Sequence, residues 1–275
     1  MDPKKKCGTI AIVGQPNVGK STLLNYFVGT KLSITSRKAQ TTRYQLLGIC
    51  SDSDTQYIFV DTPGYQLRHL NMMNRSLNKT VHQALKDVDV ILFMIGPGVL
   101  DEIDNKILKM IPEVTPIVLA INKVDLLKEK SKLLGFIKEL DAIDRFKAIV
   151  PTSVKKSNNL EPLKHALKSF LPEQDFIFSK DELTDKNERF LSAEIVREKV
   201  FRLTGQELPY SIAVEIEKFE IIEGVRRIFA AIILDRDAHK PMIIGKNGKR
   251  LKEISTSSRR DMEKLFGSKV WLEIW

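Results

Sequence analysis

Eight residues near the start of the sequence have the types and spacing of a phosphate-binding loop. The stretch GQPNVGKS, residues 14–21, matches the pattern GxxxxGK[ST] between a short apolar run and a helical pattern. In such a loop the backbone N–H groups and the N-terminus of the next helix point at an anion. Lys20 is expected to reach the β- and γ-phosphates, and the Ser21 hydroxyl to bind Mg²⁺. The pattern therefore predicts a nucleoside triphosphate site.

Two further motifs predict that the base is guanine. DTPG, residues 61–64, ends an apolar run, and we expect its Asp61 to hold a water of Mg²⁺ and its Gly64 N–H to meet the γ-phosphate. NKVD, residues 122–125, ends a later run, and Asp125 can accept two parallel hydrogen bonds from guanine N1–H and N2. Adenine has an acceptor at N1 and no N2 amine, so it would leave Asp125 as an unpaired charge. The expected ligands are GTP and GDP.

The three motifs, in this order, resemble those of translation-factor-related GTPases, and the resemblance implies further roles. The stretch ITSRKAQTTRY, residues 34–44, takes the place of the first switch, with Thr42 as the second Mg²⁺ ligand. Tyr65 stands where Ras-like enzymes carry a glutamine, which implies slow hydrolysis by the protein alone. In relatives of this kind the loop asparagine binds K⁺ in place of an arginine finger. Asn17 is therefore expected to ligate K⁺ and speed hydrolysis, or simply to brace the loop.

The predicted nucleotide site combines these motifs with the base-backing loop TSVK, in which Val154 stands where the family usually has alanine and offers the same backbone N–H. Its expected nucleotide-binding residues are Gly14, Gln15, Pro16, Asn17, Val18, Gly19, Lys20, Ser21, Thr22, Asp61, Thr62, Pro63, Gly64, Tyr65, Asn122, Lys123, Asp125, Ser153, Val154 and Lys155. Lys20, Thr42 and Asn17 are expected to act in catalysis. Ser21 and Thr42 are the expected Mg²⁺ ligands, and Asn17 the K⁺ ligand.

A second glycine loop lies near the end of the chain. MIIGKNGKRLKEI, residues 242–254, places GxxG between two helical patterns, as in the clamp of a KH domain. Glycines let a nucleic-acid backbone approach closely, and Ile243 and Ile244 are expected to floor a groove for unstacked bases. The alternative is an ordinary helix–turn–helix with a basic surface. The predicted RNA-binding residues are Ile244, Gly245, Lys246, Asn247, Gly248, Lys249 and Arg250.

The pattern of elements predicts two domains. Short apolar runs alternate with helical patterns up to about residue 171, which predicts an α/β P-loop GTPase domain with a mostly parallel, doubly wound sheet at residues 1–172. An early hairpin is expected to add an antiparallel edge strand. Residues 173–186 are acidic and aperiodic, as in a linker. Residues 187–275 follow the order α-β-β-α-α-β, which predicts a smaller α+β domain of the type II KH class.

Composition limits the class of protein. The chain has 275 residues and a net charge of +9, and residues 240–264 hold eight basic side chains against three acidic ones, which indicates a polyanionic partner. No apolar run approaches the length of a membrane span, and two cysteines, Cys7 and Cys50, exclude a disulfide framework. We expect a cytoplasmic protein, and a monomer.

The whole chain resembles the Era family of bacterial ribosome-assembly GTPases. The resemblance is carried by GQPNVGKSTLLN, SITSRKAQTTR, VDTPG, INKVD, ELPYS and IIGKNGK. It implies binding to 16S ribosomal RNA near its 3′ end, assistance in assembly of the 30S subunit, and a peripheral contact with the inner membrane. The alternative is a regulatory GTPase switch that acts on a protein or membrane partner. Salt-dependent RNA binding would separate the two.

The last predicted strand departs from that family. Family members usually continue into a further helix, whereas this chain stops at Trp275. Strand alternation places Trp271 and Trp275 on the same face, away from the predicted core. The two rings are expected either to await a helix or to stack on RNA bases.

Overall fold

The computed structural model describes residues 4–35, 44–65, 72–129, 131–204 and 212–275. The chain divides into two compact units, one formed by residues 1–29 and 42–185, the other by residues 30–41 and 186–275. In the described part of the chain, no helix is both long and apolar enough to cross a membrane.

The first unit is built on a six-stranded sheet in the order β2-β3-β1-β4-β5-β6, with β2 antiparallel to β3 and the other neighbours parallel. Its strands are β1 (Lys6–Gly14), β2 (Leu46–Ser51), β3 (Thr55–Asp61), β4 (Val90–Ile95), β5 (Ile117–Ile121) and β6 (Ala148–Pro151). Its helices are α1 (Lys20–Val28), α2 (Met72–Ala84), α3 (Glu102–Met110), α4 (Ser131–Asp141) and α5 (Leu160–Lys168). The predicted α/β class and the antiparallel edge hairpin are confirmed.

The central strands explain where the nucleotide motifs meet. All residues of β4 and β5 are buried, as expected for parallel strands covered on both faces. Because β1, β3 and β5 are parallel, their carboxyl ends lie at one edge of the sheet. The three motifs follow those ends, at the place where open α/β sheets bind ligands.

The predicted linker, residues 173–186, lies against the edge of this sheet. The buried Gln56 side chain accepts hydrogen bonds from the N–H groups of Ile177 and Phe178, both 3.0 Å, and donates to the Phe178 carbonyl at 2.9 Å. Further along, the Ile49 N–H donates to the Leu183 carbonyl at 2.9 Å. These bonds are why the first unit extends to Asp185.

The second unit packs three helices on one face of a three-stranded sheet. Its elements are α6 (Glu188–Leu203), β7 (Ile212–Ile222), β8 (Val225–Leu234), α7 (Lys240–Ile244), α8 (Lys249–Phe266) and β9 (Val270–Ile274). The sheet order is β7-β8-β9, with β7 antiparallel and β9 parallel to β8. Val196, Phe201, Ile228, Ile254 and Met262 are fully buried in the core between helices and sheet. The predicted order α-β-β-α-α-β is confirmed.

Two tryptophans lie on the sheet face opposite that core. Trp271 and Trp275 are each nearly half exposed, and their rings lie 5.1 and 6.3 Å from that of Phe229. Strand alternation therefore places them as predicted. Whether a helix or RNA bases cover them stays a prediction.

A buried ion-pair cluster attaches residues 30–35 to the second unit. The Glu198 carboxylate, 1% exposed, pairs with Lys31 and with Arg202, the latter at 2.7 Å. Lys31 also lies 2.8 Å from Asp261, which pairs with Lys199 as well. The sequence prediction assigned these residues to the first domain. The grouping differs because charged pairs between distant positions leave no periodic signal.

Replacing Glu198 by glutamine is expected to destabilise the second unit by about 2 kcal/mol, since Lys31 and Arg202 lose their buried partner. The two tryptophans of the chain lie in this unit, so their fluorescence follows its unfolding in urea. Asp237→Asn is the control, because its carboxylate is 91% exposed in a pair with Lys240 and its loss should leave the unfolding midpoint near that of the wild type. Equal unfolding midpoints for the two variants would contradict the prediction.

Candidate functional site

The phosphate-binding loop joins β1 to α1 and depends on backbone angles that side chains disfavour. Asn17 and Gly19 have φ values of 64° and 116°. A Cβ atom at position 19 would lie 2.3 Å from the Asn122 amide nitrogen, so only glycine fits. Gly19 is also the N-cap of α1 and supplies no side-chain acceptor. The first N–H groups of α1 are therefore available to an anion.

The carbonyls of this loop are held by three side chains. Lys20 Nζ donates to the carbonyls of Gly14 at 3.0 Å and Gln15 at 2.8 Å. Asn122 Nδ2 donates to the Val18 carbonyl at 2.8 Å, and Lys123 Nζ to the Asn17 carbonyl at 2.6 Å. Burial lowers the pKa of Lys20 to about 8, although the negative charge of Asp61 acts in the opposite direction.

Oxygen ligands for a divalent cation meet where β3 ends and α1 begins. The Ser21 hydroxyl donates to Asp61 Oδ2 at 3.1 Å, and Asp61 is fully buried. A hydroxyl and a carboxylate are the hard donors that Mg²⁺ prefers, with substrate phosphates completing its shell. Ser21 and Asp61 therefore fit a Mg²⁺ site. Thr42 lies outside the described residues, as do residues 36–43 of the predicted switch.

The motif DTPG packs directly on the phosphate-binding loop. The Thr62 hydroxyl donates to the Ile12 carbonyl of β1 at 2.8 Å. A Cβ atom on Gly64 would lie 2.9 Å from Pro16 Cα, which shows how closely the two backbones approach. The half-buried Tyr65 ring packs on the core and edge-on against His82, at 6.3 Å.

The residues expected to recognise the base lie on two loops that are connected by hydrogen bonds. Asn122 is 3% exposed, and its Oδ1 accepts from the Val154 N–H at 3.1 Å while its Nδ2 serves the phosphate-binding loop. The Val154 N–H, expected to face the base, therefore bonds to Asn122. The exposed Asp125 carboxylate accepts from the Ser153 hydroxyl at 2.6 Å, which fixes its orientation. Lys155 is exposed beside them, and Thr22 is exposed on the first turn of α1.

One contact of the loop was missed by sequence reasoning. Gln15 Nε2 donates to Asp101 Oδ1 at 2.8 Å, across 86 residues of chain. Asp101 is the N-cap of α3 and belongs to none of the motifs. No signal in the sequence could have paired these two residues, because neither periodicity nor spacing relates them.

The second glycine loop joins α7 to α8 in the second unit. Gly245 has φ 70° and ψ 177°, and a Cβ atom there would lie 2.8 Å from Arg250 Cβ. Gly248 is the N-cap of α8 and supplies no side-chain acceptor, so the N–H groups of its first turn can meet a phosphate. Lys246, Asn247 and Lys249 are exposed around the loop.

The two isoleucines before this loop have different surroundings. Ile244 is 44% exposed, as a groove-lining residue requires. Ile243 is 3% exposed and belongs to the hydrophobic core, so its predicted place on the groove floor is wrong. Helical geometry turns successive residues about 100° apart, which separates the two side chains.

Binding of Mg·GDP is expected to take up about half a proton at pH 8 and about a tenth at pH 7. The reason is that Lys20, with a pKa of about 8 in the free protein, regains its ordinary basicity beside the phosphates. Affinity should therefore be level below pH 7 and fall as the pH rises through 8. Titration calorimetry in two buffers of different ionisation enthalpy measures the uptake. Equal heats in both buffers at pH 8 would exclude this account.

Two protein families match separate parts of the chain. A family described as 50S ribosome-binding GTPase matches residues 9–123, and the KH domain family matches residues 207–275. Both assignments agree with the loops found in the two units. They confirm the predicted GTPase and KH domains.

Individual relatives match along almost the whole chain. The GTPase Era of Nitrosomonas eutropha is 49% identical over 270 residues, which is 98% of this chain and 91% of the relative. That of Chromobacterium violaceum is 46% identical over 269 residues, again 98% and 91%. A crystal structure of Era in complex with MgGDPNP and nucleotides 1506–1542 of 16S ribosomal RNA has a TM-score of 0.93 at 41% identity, covering 98% of this chain and 93% of that one. This chain therefore belongs to the Era family of GTPases.

Proposed function

We propose that this GTPase binds Mg·GTP and Mg·GDP in its first unit and binds 16S ribosomal RNA near the 3′ end through the glycine loop of its second unit, and that it thereby assists 30S subunit assembly. The observation that carries the RNA proposal is the geometry of that loop. Two glycines with positive φ precede a long helix whose first N–H groups have no side-chain cap. The Era structure solved with nucleotides 1506–1542 supports the same partner.

Nucleotide binding follows from the first glycine loop. The N–H groups of the loop and of α1 surround the phosphates, and Lys20 adds a positive charge. Asp125, held by Ser153, accepts from guanine and selects against adenine. Ser21, with Asp61 through a water and Thr42 by resemblance, would hold Mg²⁺. When bound, that ion neutralises charge on the β- and γ-phosphates.

Among the described residues, Tyr65 occupies the position where Ras-like enzymes carry the glutamine that orients the attacking water, and it packs on the core and on His82. We therefore propose K⁺ as a second cation, ligated by Asn17. The exposed Asn17 side chain makes no hydrogen bond within the described ranges, while its backbone carbonyl accepts from Lys123. The backbone of Asn17, and not its side chain, therefore braces the loop. The side-chain amide oxygen of Asn17 remains available to a ligand.

Location and assembly state belong to the same proposal. The net charge of +9 suits a peripheral contact with an anionic surface such as the inner membrane. We propose that the protein is cytoplasmic and monomeric and that it makes this peripheral contact. Density-gradient flotation with anionic vesicles and light scattering measure the two properties.

Exchanging K⁺ for Na⁺ is expected to lower the GTP hydrolysis rate about tenfold or more, since charge stabilisation at the arginine-finger position dominates phosphoryl transfer. Asn17→Ala should lose the difference between the two ions. Its affinity for GDP, measured alongside, should change far less than its rate in K⁺. Identical rates of the wild-type protein in both ions would remove K⁺ from the mechanism.

Gly245→Asp/Gly248→Asp is expected to weaken binding of an RNA of nucleotides 1506–1542 of 16S ribosomal RNA at least about tenfold, because the added carboxylates repel phosphates and strain the loop. Wild-type affinity should differ between GTP and GDP and fall with salt. Filter binding at two salt concentrations measures both.

Gly224→Asp is the matched control. It places the same side chain on a positive-φ glycine, at 77°, in the turn between β7 and β8 with open space around it. Its RNA affinity should match that of the wild type. If the wild-type protein binds this RNA no better than an unrelated RNA, the alternative of a switch acting on a protein or membrane partner is favoured.

A further inference from the structure

Asp101 performs two tasks with one oxygen. As the N-cap of α3, its Oδ1 accepts from the N–H groups of Ile103 at 2.8 Å and Asp104 at 2.9 Å. The same Oδ1 accepts from Gln15 Nε2 at 2.8 Å. Capping requires only the first two bonds. The third bond joins α3 to the second residue of the phosphate-binding loop.

Helix α3 gives this contact a rigid base. Ile107 of α3 and the C-cap residue Ile111 are buried in the core with β4 and β5. Burial acts to raise the pKa of Asp101, but the N–H groups of Asp104 and Ile103 and the Gln15 amide outweigh it and hold that pKa below its usual value. Asp101 is therefore ionised near neutral pH, and its bond to Gln15 is a charge-assisted one.

A second carboxyl group lies beside Gln15. Asp104 is 4% exposed, and burial raises its pKa while hydrogen bonding with Gln15 acts in the opposite direction. The Gln15 side chain thus lies beside two of the three acidic residues at the α3 N-terminus, Asp101 and Asp104. This arrangement orients the amide and fixes the main chain of residue 15.

The number of hydrogen-bond donors on Lys20 shows why the loop needs the bond between Gln15 and Asp101. Lys20 has three N–H donors, and two of them serve the carbonyls of Gly14 and Gln15. Reaching both the β- and γ-phosphates requires two donors, so Lys20 must release at least one carbonyl when GTP binds, whereas the third donor can serve the β-phosphate of GDP. Asn122 and Lys123 hold only the later residues, Val18 and Asn17. The bond between Gln15 and Asp101 holds residue 15 without competition from a phosphate.

We propose that Asp101 is a positioning residue for nucleotide binding, which holds the first half of the phosphate-binding loop through Gln15 while Lys20 turns to the phosphates. Asp101 touches neither the nucleotide nor the reacting atoms in this scheme. Its effect is on affinity for GTP and GDP and on the dissociation rate, and the rate of hydrolysis in the bound state is unchanged. The inference rests on nucleotide binding at this loop.

A double-mutant cycle on the full chain tests this role. Gln15→Ala removes the contact and leaves the cap intact. Asp101→Ser keeps an N-cap side chain of similar strength whose hydroxyl is too short to reach Gln15. Each variant is expected to raise the dissociation constant of a fluorescent, non-hydrolysable GTP analogue about three- to tenfold, mainly through faster dissociation, and that of the matching GDP analogue less. The double variant should be no weaker than the weaker single variant.

Controls separate positioning from folding and from the function itself. Glu102→Gln alters the neighbouring residue, whose exposed carboxylate pairs with Lys106 and does not contact the loop. It should bind GDP as the wild type does. For Gln15→Ala and Asp101→Ser, KM for GTP should rise with kcat unchanged, and the urea midpoint should stay near that of Glu102→Gln.

Two results would overturn the inference: wild-type affinity for the GTP analogue in Gln15→Ala, or effects of the two substitutions that simply add in the double variant. Both leave nucleotide binding by the wild-type chain intact. Failure of the wild-type chain to bind the GDP analogue would instead reject the proposed function.

Discussion

A loop that turns its N–H groups outward to an anion must turn its carbonyls inward, and those carbonyls need donors. This constraint organises the first unit. The donors are Lys20, from the start of α1, and Asn122 and Lys123, from the end of β5. The parallel sheet is what brings those two chain segments together, because β1 and β5 flank β4 and end at one edge. Asn122 then extends the same network to the base-recognition loop through the Val154 N–H.

The second unit meets the same constraint with different residues. Its loop also ends at a glycine N-cap without a side-chain acceptor, followed by a helix with a cation in its first turn. There Arg250 donates back to the Met242 carbonyl, as Lys20 does to the carbonyls of Gly14 and Gln15. In both loops a side chain of the helix satisfies the preceding main chain. Because each N-cap is a glycine without a side-chain acceptor, the first N–H groups of both helices remain available to a phosphate. This shared requirement is the physical reason for two glycine loops in one chain.

What the sequence could predict was local. The strands of the first unit are continuous apolar runs, and each nucleotide motif is a short segment whose roles follow from its own residue types. The contacts it could not predict join polar residues far apart in the chain: Gln15 with Asp101, Gln56 with Phe178, and Lys31 with Glu198. Such pairs follow no regular spacing in the sequence, so a search for periodic patterns does not reveal them. Ile243 shows the opposite limit, since an apolar residue beside a loop suits a groove and a core equally well.

Residues 30–41 group with the second unit and not with the GTPase domain that precedes and follows them. The Mg²⁺ ligand expected from the family, Thr42, follows this segment directly in the chain. At the other end of the segment, Lys31 pairs with the buried Glu198 and with Asp261 of α8, the helix that begins at the RNA-binding loop. The covalent chain thus joins the expected Mg²⁺ ligand to the Lys31 cluster, and this is the route by which we expect loss of the γ-phosphate to change RNA affinity.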